Sequence, residues 1–362
     1  MVRSVFILVP SFDPTGPVKG ACALANILVE RYPVTLVALK DPPHQQQMPV
    51  VKDGVVCRSL ADVAGWRRKL AAYKALLREA RCATGERPAS VSLCFSADFI
   101  NAFCASEAAI AASVRSNLFQ DYRMGYGLPG LPLALFHFLL LNRFSQVVAM
   151  THSMATQIGR FVGRTPVVIG NFVDEDFLEP YRRRSPAGGY RFLFLGSLTA
   201  RKQPLLLVQA MAELLERGVE ARLDMVGGGP LEENVRRKVA QLGLEDRVIL
   251  HGHLSDPYPL LAAADVMVLP SLSEGLSRAS LEALYLGVPC VLRDVDGNGE
   301  LISEGGNGSL FDEDSTLVES MLAAAKLRKS ETVRTSLLPE VFRQTYAEEG
   351  YLKLIDEIDN LI

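Results

Sequence analysis

The stretch ADVMVLPSLSEGLSRASLEALYLGVPCV, residues 264–291, decides how the rest of the chain is read. VMVL is a short apolar run that ends at Pro270, a Ser/Gly loop follows, and from about residue 277 the apolar positions fall at helical spacing until Gly287. Pro289 then precedes a second apolar run, so the unit is strand, loop, helix, strand. Strands joined through helices run parallel, and repetition of this unit builds a doubly wound α/β sheet.

Working back from this stretch, the same alternation begins at RFLFLGSL (191–198). It continues through a helix at 204–217, ARLDMVGGG, a helix at 231–242, RVILHG and a short helix near 258–264. An earlier cycle comprises VFILVP (5–10), a helix near 19–31, VTLVALK, a basic helix near 62–82 and VSLCF (91–95). Between the cycles lies NFVDEDFLEPYRRRSPAGGY (171–190). It is charged and rich in Pro and Gly, without a sustained helical or strand period. The expected organisation is therefore an N-terminal Rossmann-like domain at 1–172, a second at 173–340, and a terminal helix at 341–362. That helix has apolar positions Tyr351, Leu354, Ile355, Ile358 and Leu361 on one face and is expected to pack back on the N-terminal domain. The chain has 362 residues. That length suits two domains, at roughly 150 residues per domain.

Hydrophobic residues make up 49% of the chain and charged residues 22%. This is the composition of a folded globular protein. Lys and Arg number 38 against 41 Asp and Glu. Nucleic acid is therefore not an expected partner, and any anion site must be local. The six cysteines show no metal-ligand spacing, and they read as buried reduced thiols. The first strand starts at residue 5 with no secretory leader pattern before it. The longest apolar run, LPLALFHFLLL (131–141), is about half the length that spans a bilayer as a helix. A cytoplasmic location is expected. The basic helix near 62–82 and the apolar helix at 131–141 would supply a peripheral contact with the inner face of an anionic membrane if the acceptor is lipid-linked.

Glu274 in the loop and Glu282 on the helix lie eight residues apart, which is about 12 Å at helical rise. Carboxylates so placed accept hydrogen bonds from sugar hydroxyls at the two ends of a diphosphate. Between them Gly275 and the free N–H groups around Leu276, Ser277 and Arg278 open the helix toward phosphate oxygens. Two glutamates at this spacing also occur on solvated helices, and the loop-to-helix context is what favours the binding role. Arg201 and Lys202 precede another helix, where a basic pair opposes the dipole and wants an anion.

The chain resembles the retaining glycosyltransferases of family 4, which have the GT-B architecture of two Rossmann-like domains facing a cleft. The resemblance rests on PVVIGNFVD (166–174), FLFLGSLTARKQP (192–204), MVGGGP (225–230), VILHGHL (248–254), the opening stretch, and GELISEGGNGSLF (299–311), in family order. It implies transfer of a hexose-type sugar from a nucleotide diphosphate sugar to a hydroxyl of a saccharide or lipid-linked acceptor, in cell-surface polysaccharide or glycoconjugate synthesis. Anomeric configuration would be kept by front-face attack, with no metal and no cofactor beyond the co-substrate. Three D-x-D pairs, Asp174/Asp176, Asp294/Asp296 and Asp312/Asp314, are the short acidic patterns that a metal-dependent route would use.

Residue by residue, the resemblance places Glu274 on the transferred sugar, Glu282 on the ribose and Lys202 on the donor diphosphate. The family's usual Arg after the glycine of the first loop is Ser197 here, and Arg201 is the replacement charge. Backbone at Gly252 would border the base, and Gly227 to Gly229 read as a tight strand-to-helix turn. In the first domain Gly16 would approach the donor, while Pro17 and Lys19 would meet the acceptor. Where the family carries a histidine near the reacting sugar, this chain has SNLFQDYRMGYG (116–127). Asp121 there is a candidate helper for acceptor deprotonation, and Tyr122 and Tyr126 are candidate sugar platforms. A nucleotide-sugar epimerase or hydrolase of the same fold, or an inert sugar-nucleotide-binding regulator, would carry many of the same residues.

Overall fold

A computed structural model describes residues 2–13, 15–40, 51–182, 189–327 and 334–359. The chain forms two compact units, Met1–Phe172 with Gln344–Ile362, and Val173–Arg343. Each is a parallel sheet layered with helices, as the alternating pattern requires. Residues 183–188 of the expected linker and Leu361 of the terminal helix lie outside the described residues.

Among the described residues the first unit holds seven strands, β1 (Val5–Ser11), β2 (Val34–Lys40), β3 (Val56–Ser59), β4 (Ala89–Leu93), β5 (Ala109–Val114), β6 (Gln146–Ala149) and β7 (Val167–Val168). Their order is β3-β2-β1-β4-β5-β6-β7, all parallel, so the direction of winding reverses between β1 and β4. β5 is the alanine-rich run AIAASV, which local preference alone would make helical. Every residue of it is buried, and its small side chains suit a central strand covered on both faces.

The terminal helix, Gln344–Glu357, belongs to this first unit. Tyr351, Leu354, Ile355 and Ile358 enter the same apolar core as Val5, Ile7, Leu24 and Leu28. Tyr32 donates a hydrogen bond to Asp356 Oδ1 at 2.5 Å, and Arg3 Nη1 donates to the Ile355 carbonyl at 2.7 Å.

The second unit holds β8 (Tyr190–Leu195), β9 (Ala221–Val226), β10 (Val248–Gly252), β11 (Val266–Leu269), β12 (Cys290–Arg293) and β13 (Gly308–Phe311). The order β10-β9-β8-β11-β12-β13 is again fully parallel and puts the reversal between β8 and β11. Ligands of open α/β sheets bind outside the carboxyl ends of strands at such a reversal.

One expectation needs correction. The six cysteines are free thiols, but only Cys22, Cys104 and Cys290 are buried, and Cys82 is exposed. The apolar helix, Gly130–Leu141, has one face in the core and one outside. His137, Phe138, Leu140 and Leu141 face inward, whereas Leu135, Phe136 and Leu139 are exposed. The exposed three recur at one helical spacing and so share a face. Leu128 and Tyr126, just before it, are 75% and 64% exposed. Among the described residues no helix is long and apolar enough to cross a membrane.

Candidate active site

The loops after β8 and β11 meet at the reversal of the second sheet. Ala200–Lys202 forms one 3-10 turn, and the Leu272 N–H donates to the Arg201 carbonyl at 2.8 Å, which ties the two loops together. Lys202 Nζ donates to Glu274 Oε1, and both residues are less than a tenth exposed. Gly196 lies beside the lysine stem, where a Cβ would make an ordinary contact with Lys202 Cε at 3.7 Å. Burial pushes the Lys202 ammonium below its ordinary pKa, and the Glu274 carboxylate works against that shift.

Arg201 completes the cluster. Its Nη1 donates to the Ser273 carbonyl at 2.7 Å and lies 3.4 Å from Glu274 Oε1. Asp296, from the loop after β12, holds the acidic loop from behind. It accepts from Ser273 Oγ at 2.8 Å and from the Glu274 N–H at 2.9 Å. Asp296 also adopts φ of 50°. This is a left-handed conformation that few residues other than glycine and Asx tolerate. The D-x-D pair after β12 thus contributes a loop anchor, and no group of metal-ligating side chains is assembled among the described residues.

Glu282 sits at the next step of the same loop-to-helix unit. Ser277 caps the helix Arg278–Tyr285, accepting from the Ser280 N–H at 3.3 Å. One turn on, Glu282 Oε1 accepts from Tyr258 Oη at 3.2 Å and Arg278 Nε at 3.1 Å. Burial, with Glu282 beside it, holds the Tyr258 hydroxyl well above its ordinary range. Gly275 and Leu276 are buried between the two carboxylates.

The remaining second-unit positions divide by role. Ser197 is exposed on the first loop. Gly252 has φ of 66°, and its carbonyl accepts from the Gly227 N–H at 2.7 Å. Gly227 and Gly229 are structural: a Cβ would meet the Gly196 carbonyl at 2.0 Å and the Leu198 carbonyl at 2.6 Å. His251 pairs with Asp224 at 2.7 Å, and His253 is exposed.

In the first unit, Gly16, Pro17 and Lys19 open the helix Gly16–Leu28, with Gly16 and Lys19 exposed. Asp121 lies in the first turn of the helix Leu118–Tyr126, its N–H bonded to the Asn117 carbonyl at 2.9 Å. The two expected sugar platforms separate. Tyr126 is exposed, but Tyr122 is 8% exposed and its hydroxyl is hydrogen-bonded with His137 Nδ1 at 3.1 Å, while His137 Nε2 lies 3.0 Å from Asp98 Oδ2. Tyr122 is therefore an interior group. Neither Tyr258 nor the anchoring role of Asp296 is visible in a local pattern, because each contact joins elements that follow different strands.

Residues 179–333 match the family model of glycosyl transferases group 1. The match falls within the second unit, and the cluster around Glu274 lies inside it. The chain is 29% identical over 154 residues to alpha-D-kanosaminyltransferase of Streptomyces kanamyceticus, covering 41% of this chain and 40% of that protein. It is 27% identical over 225 residues to N-acetyl-alpha-D-glucosaminyl L-malate synthase of Bacillus anthracis, covering 59% of this chain and 58% of that protein. These matches span about half the length of the curated relatives. Anabaena HepE in complex with UDP and glucose superposes with a TM-score of 0.72 at 19% identity, covering 98% of this chain and all of that one. The architecture is GT-B, the expected fold.

Proposed function

We propose that the protein is a retaining glycosyltransferase that moves a hexose-type sugar from a nucleotide diphosphate donor to a hydroxyl of a saccharide or lipid-linked acceptor. The observation that carries this is the Arg201, Lys202 and Glu274 cluster at the strand reversal, with Glu282 on the helix that follows. A departing nucleoside diphosphate gains negative charge, and fixed cations in a dry site stabilise that charge as it develops. Arg201 and Lys202 serve the diphosphate, which makes the transfer metal-independent. Glu274 keeps the ammonium in place until the diphosphate takes it over, and the released carboxylate then accepts from sugar hydroxyls. Glu282 holds the ribose. The first unit presents the acceptor, and the leaving phosphate assists its deprotonation on the same face.

Nucleotide release from a panel of nucleotide sugars, measured with and without an acceptor extract and with a chelator, tests this. Acceptor-dependent, chelator-resistant release is expected. Turnover without acceptor fits an epimerase or hydrolase instead, and tight binding without turnover fits a regulator.

The exposed apolar face of Gly130–Leu141 is proposed to rest on an anionic bilayer on the cytoplasmic side. Ring contacts run from Phe136 through Phe95 and Phe99 to Trp66 at the head of the basic helix Trp66–Thr84, where Arg67 and Arg68 are exposed. Apolar insertion beside exposed arginines is the pattern of an interfacial helix. Co-sedimentation with phosphatidylglycerol vesicles but not phosphatidylcholine vesicles is expected, with loss in Leu135→Ser/Leu139→Ser. Concentration-dependent dimerisation without vesicle binding would assign the face to a second copy.

A further inference from the structure

Arg115 follows β5 at the carboxyl edge of the first sheet and carries no sequence signal of a site residue. Its Nη1 donates to Asn171 Oδ1 at 3.0 Å and lies 3.8 Å from Met150 Sδ. Nε and Nη2 are closed to water and have no hydrogen-bond partner, and Arg115 makes no ion pair among the described residues. The Asp98 carboxylate, which like Arg115 acts on the Cys94 thiol, is occupied by Ser92 and His137. A guanidinium is always charged, and leaving its donors dry and unmatched is costly.

The identity of the two open nitrogens matters. Nε and Nη2 form one edge of the guanidinium plane, with N–H bonds pointing the same way. That edge is the fork that grips a carboxylate or phosphate through two parallel hydrogen bonds. Gly20, in the helix Gly16–Leu28, lies beside the other nitrogen, where a Cβ would sit 3.4 Å from Nη1. The fork stands outside the carboxyl end of a strand two places from the reversal between β1 and β4. On that side such sheets take ligands.

We propose that Arg115, oriented by Asn171, is an oxyanion subsite of the first unit and binds a phosphate or carboxylate group on the acceptor. This rests on the reading of the first unit as the acceptor side. Both nitrogens are closed to water in this state, so an entering oxyanion must displace the groups that cover them. Acceptors lacking an anionic group would leave the charge unmatched and bind more weakly.

The full chain, saturated with UDP so that Arg201 and Lys202 are occupied, is titrated with inorganic phosphate and separately with succinate, and its thermal unfolding is followed. At least one of the two anions is expected to bind and to raise the melting temperature, and which one does so separates phosphate from carboxylate. Arg115→Gln, which can still donate toward Asn171, is expected to weaken that binding at least about tenfold and to abolish the shift, while melting no lower in plain buffer. Arg115→Lys keeps the charge without the fork and is expected to fall between. An equal shift in wild type and Arg115→Gln, or no shift in wild type with either anion, overturns the proposal. With acceptor extract split on an anion exchanger, transfer is expected only with the retained fraction, and Arg115→Gln raises KM for it more than it lowers kcat. Failure of transfer with the Arg115-dependent titration intact removes the enzyme assignment, whereas the converse removes the subsite alone.

Discussion

Lys202 and Glu274, seventy-two residues apart, form a buried ion pair between the loops that follow β8 and β11. Each comes from one side of the strand reversal, so the pair exists only because β11 crosses to lie beside β8. Both residues are less than a tenth exposed. Removing Glu274 strands the ammonium in that dry site and removing Lys202 leaves the carboxylate with Arg201 alone, and breaking a buried pair typically costs about 3–5 kcal/mol. Glu274→Leu and Lys202→Met are each expected to destabilise the second unit on that scale and to lower turnover at least ~100-fold. The double variant is expected to recover most of the stability and none of the activity. Urea unfolding beside nucleotide release checks both, and a double variant as unstable as the singles would show that the two charges are not coupled.

Tyr258→Phe removes one of the two donors on Glu282 Oε1 and leaves Arg278. A hydrogen bond to a charged group is worth about 1.5–3 kcal/mol, so loss of Glu282 positioning is expected to weaken donor binding by about tenfold or more. The chemical step is expected to change little. Calorimetric titration with nucleoside diphosphates, beside kcat, separates the two; an altered kcat at unchanged affinity speaks against a ribose role for Glu282.

Gly227 and Gly228 are neighbours with opposite tolerance. Gly227→Ala puts a Cβ 2.0 Å from the Gly196 carbonyl at φ of 130°, whereas at Gly228 the nearest atom is Glu232 Oε2 at 3.6 Å. Gly227→Ala is expected to lose soluble folded protein, and Gly228→Ala to fold and bind nucleotide normally. Expression and melting of the two variants test this, and a well-folded Gly227→Ala would overturn the close-approach role.

Alkaline pH is expected to destabilise the chain. Burial raises the Cys94 and Cys104 thiols from 9.0 to about 12, and burial with the Asp356 hydrogen bond raises the Tyr32 hydroxyl from 10.0 to about 12. The unfolded chain therefore releases these protons first, and stability present below about pH 9 is lost as pH climbs toward about 12. Lys202 has the opposite sign, because its lowered pKa favours the folded form as pH rises toward 10.5, but it is one group against several. The urea midpoint is expected to fall between pH 8 and pH 10.5, with a flatter profile in Cys104→Ala.

Much of the fold was legible because local apolar runs and helical spacing are properties of neighbouring residues. The alternation visible around residues 264–291 carries through both halves, and the helix Arg278–Tyr285 begins where Ser277 and the Gly275 loop place it. β5 was illegible, since AIAASV becomes a strand only through burial between β4 and β6. The candidate site was half legible. Glu274, Glu282, Arg201 and Lys202 stood out by type and spacing within a recognisable pattern. Tyr258 carries no such signal, and Tyr122 stood out as a sugar platform yet lies inside, bonded to His137.

By itself, then, the sequence determined the parallel α/β architecture, the two cycles and the acid and base types of the donor side, since all of these follow from composition and short-range spacing. Only the tertiary structure decided which charges meet. Strand order brings Lys202 to Glu274 and Asp296 behind it, and among the described residues it leaves the Arg115 fork without a partner. Contacts between loops of different strands depend on register and crossover, and no local pattern of residues encodes them.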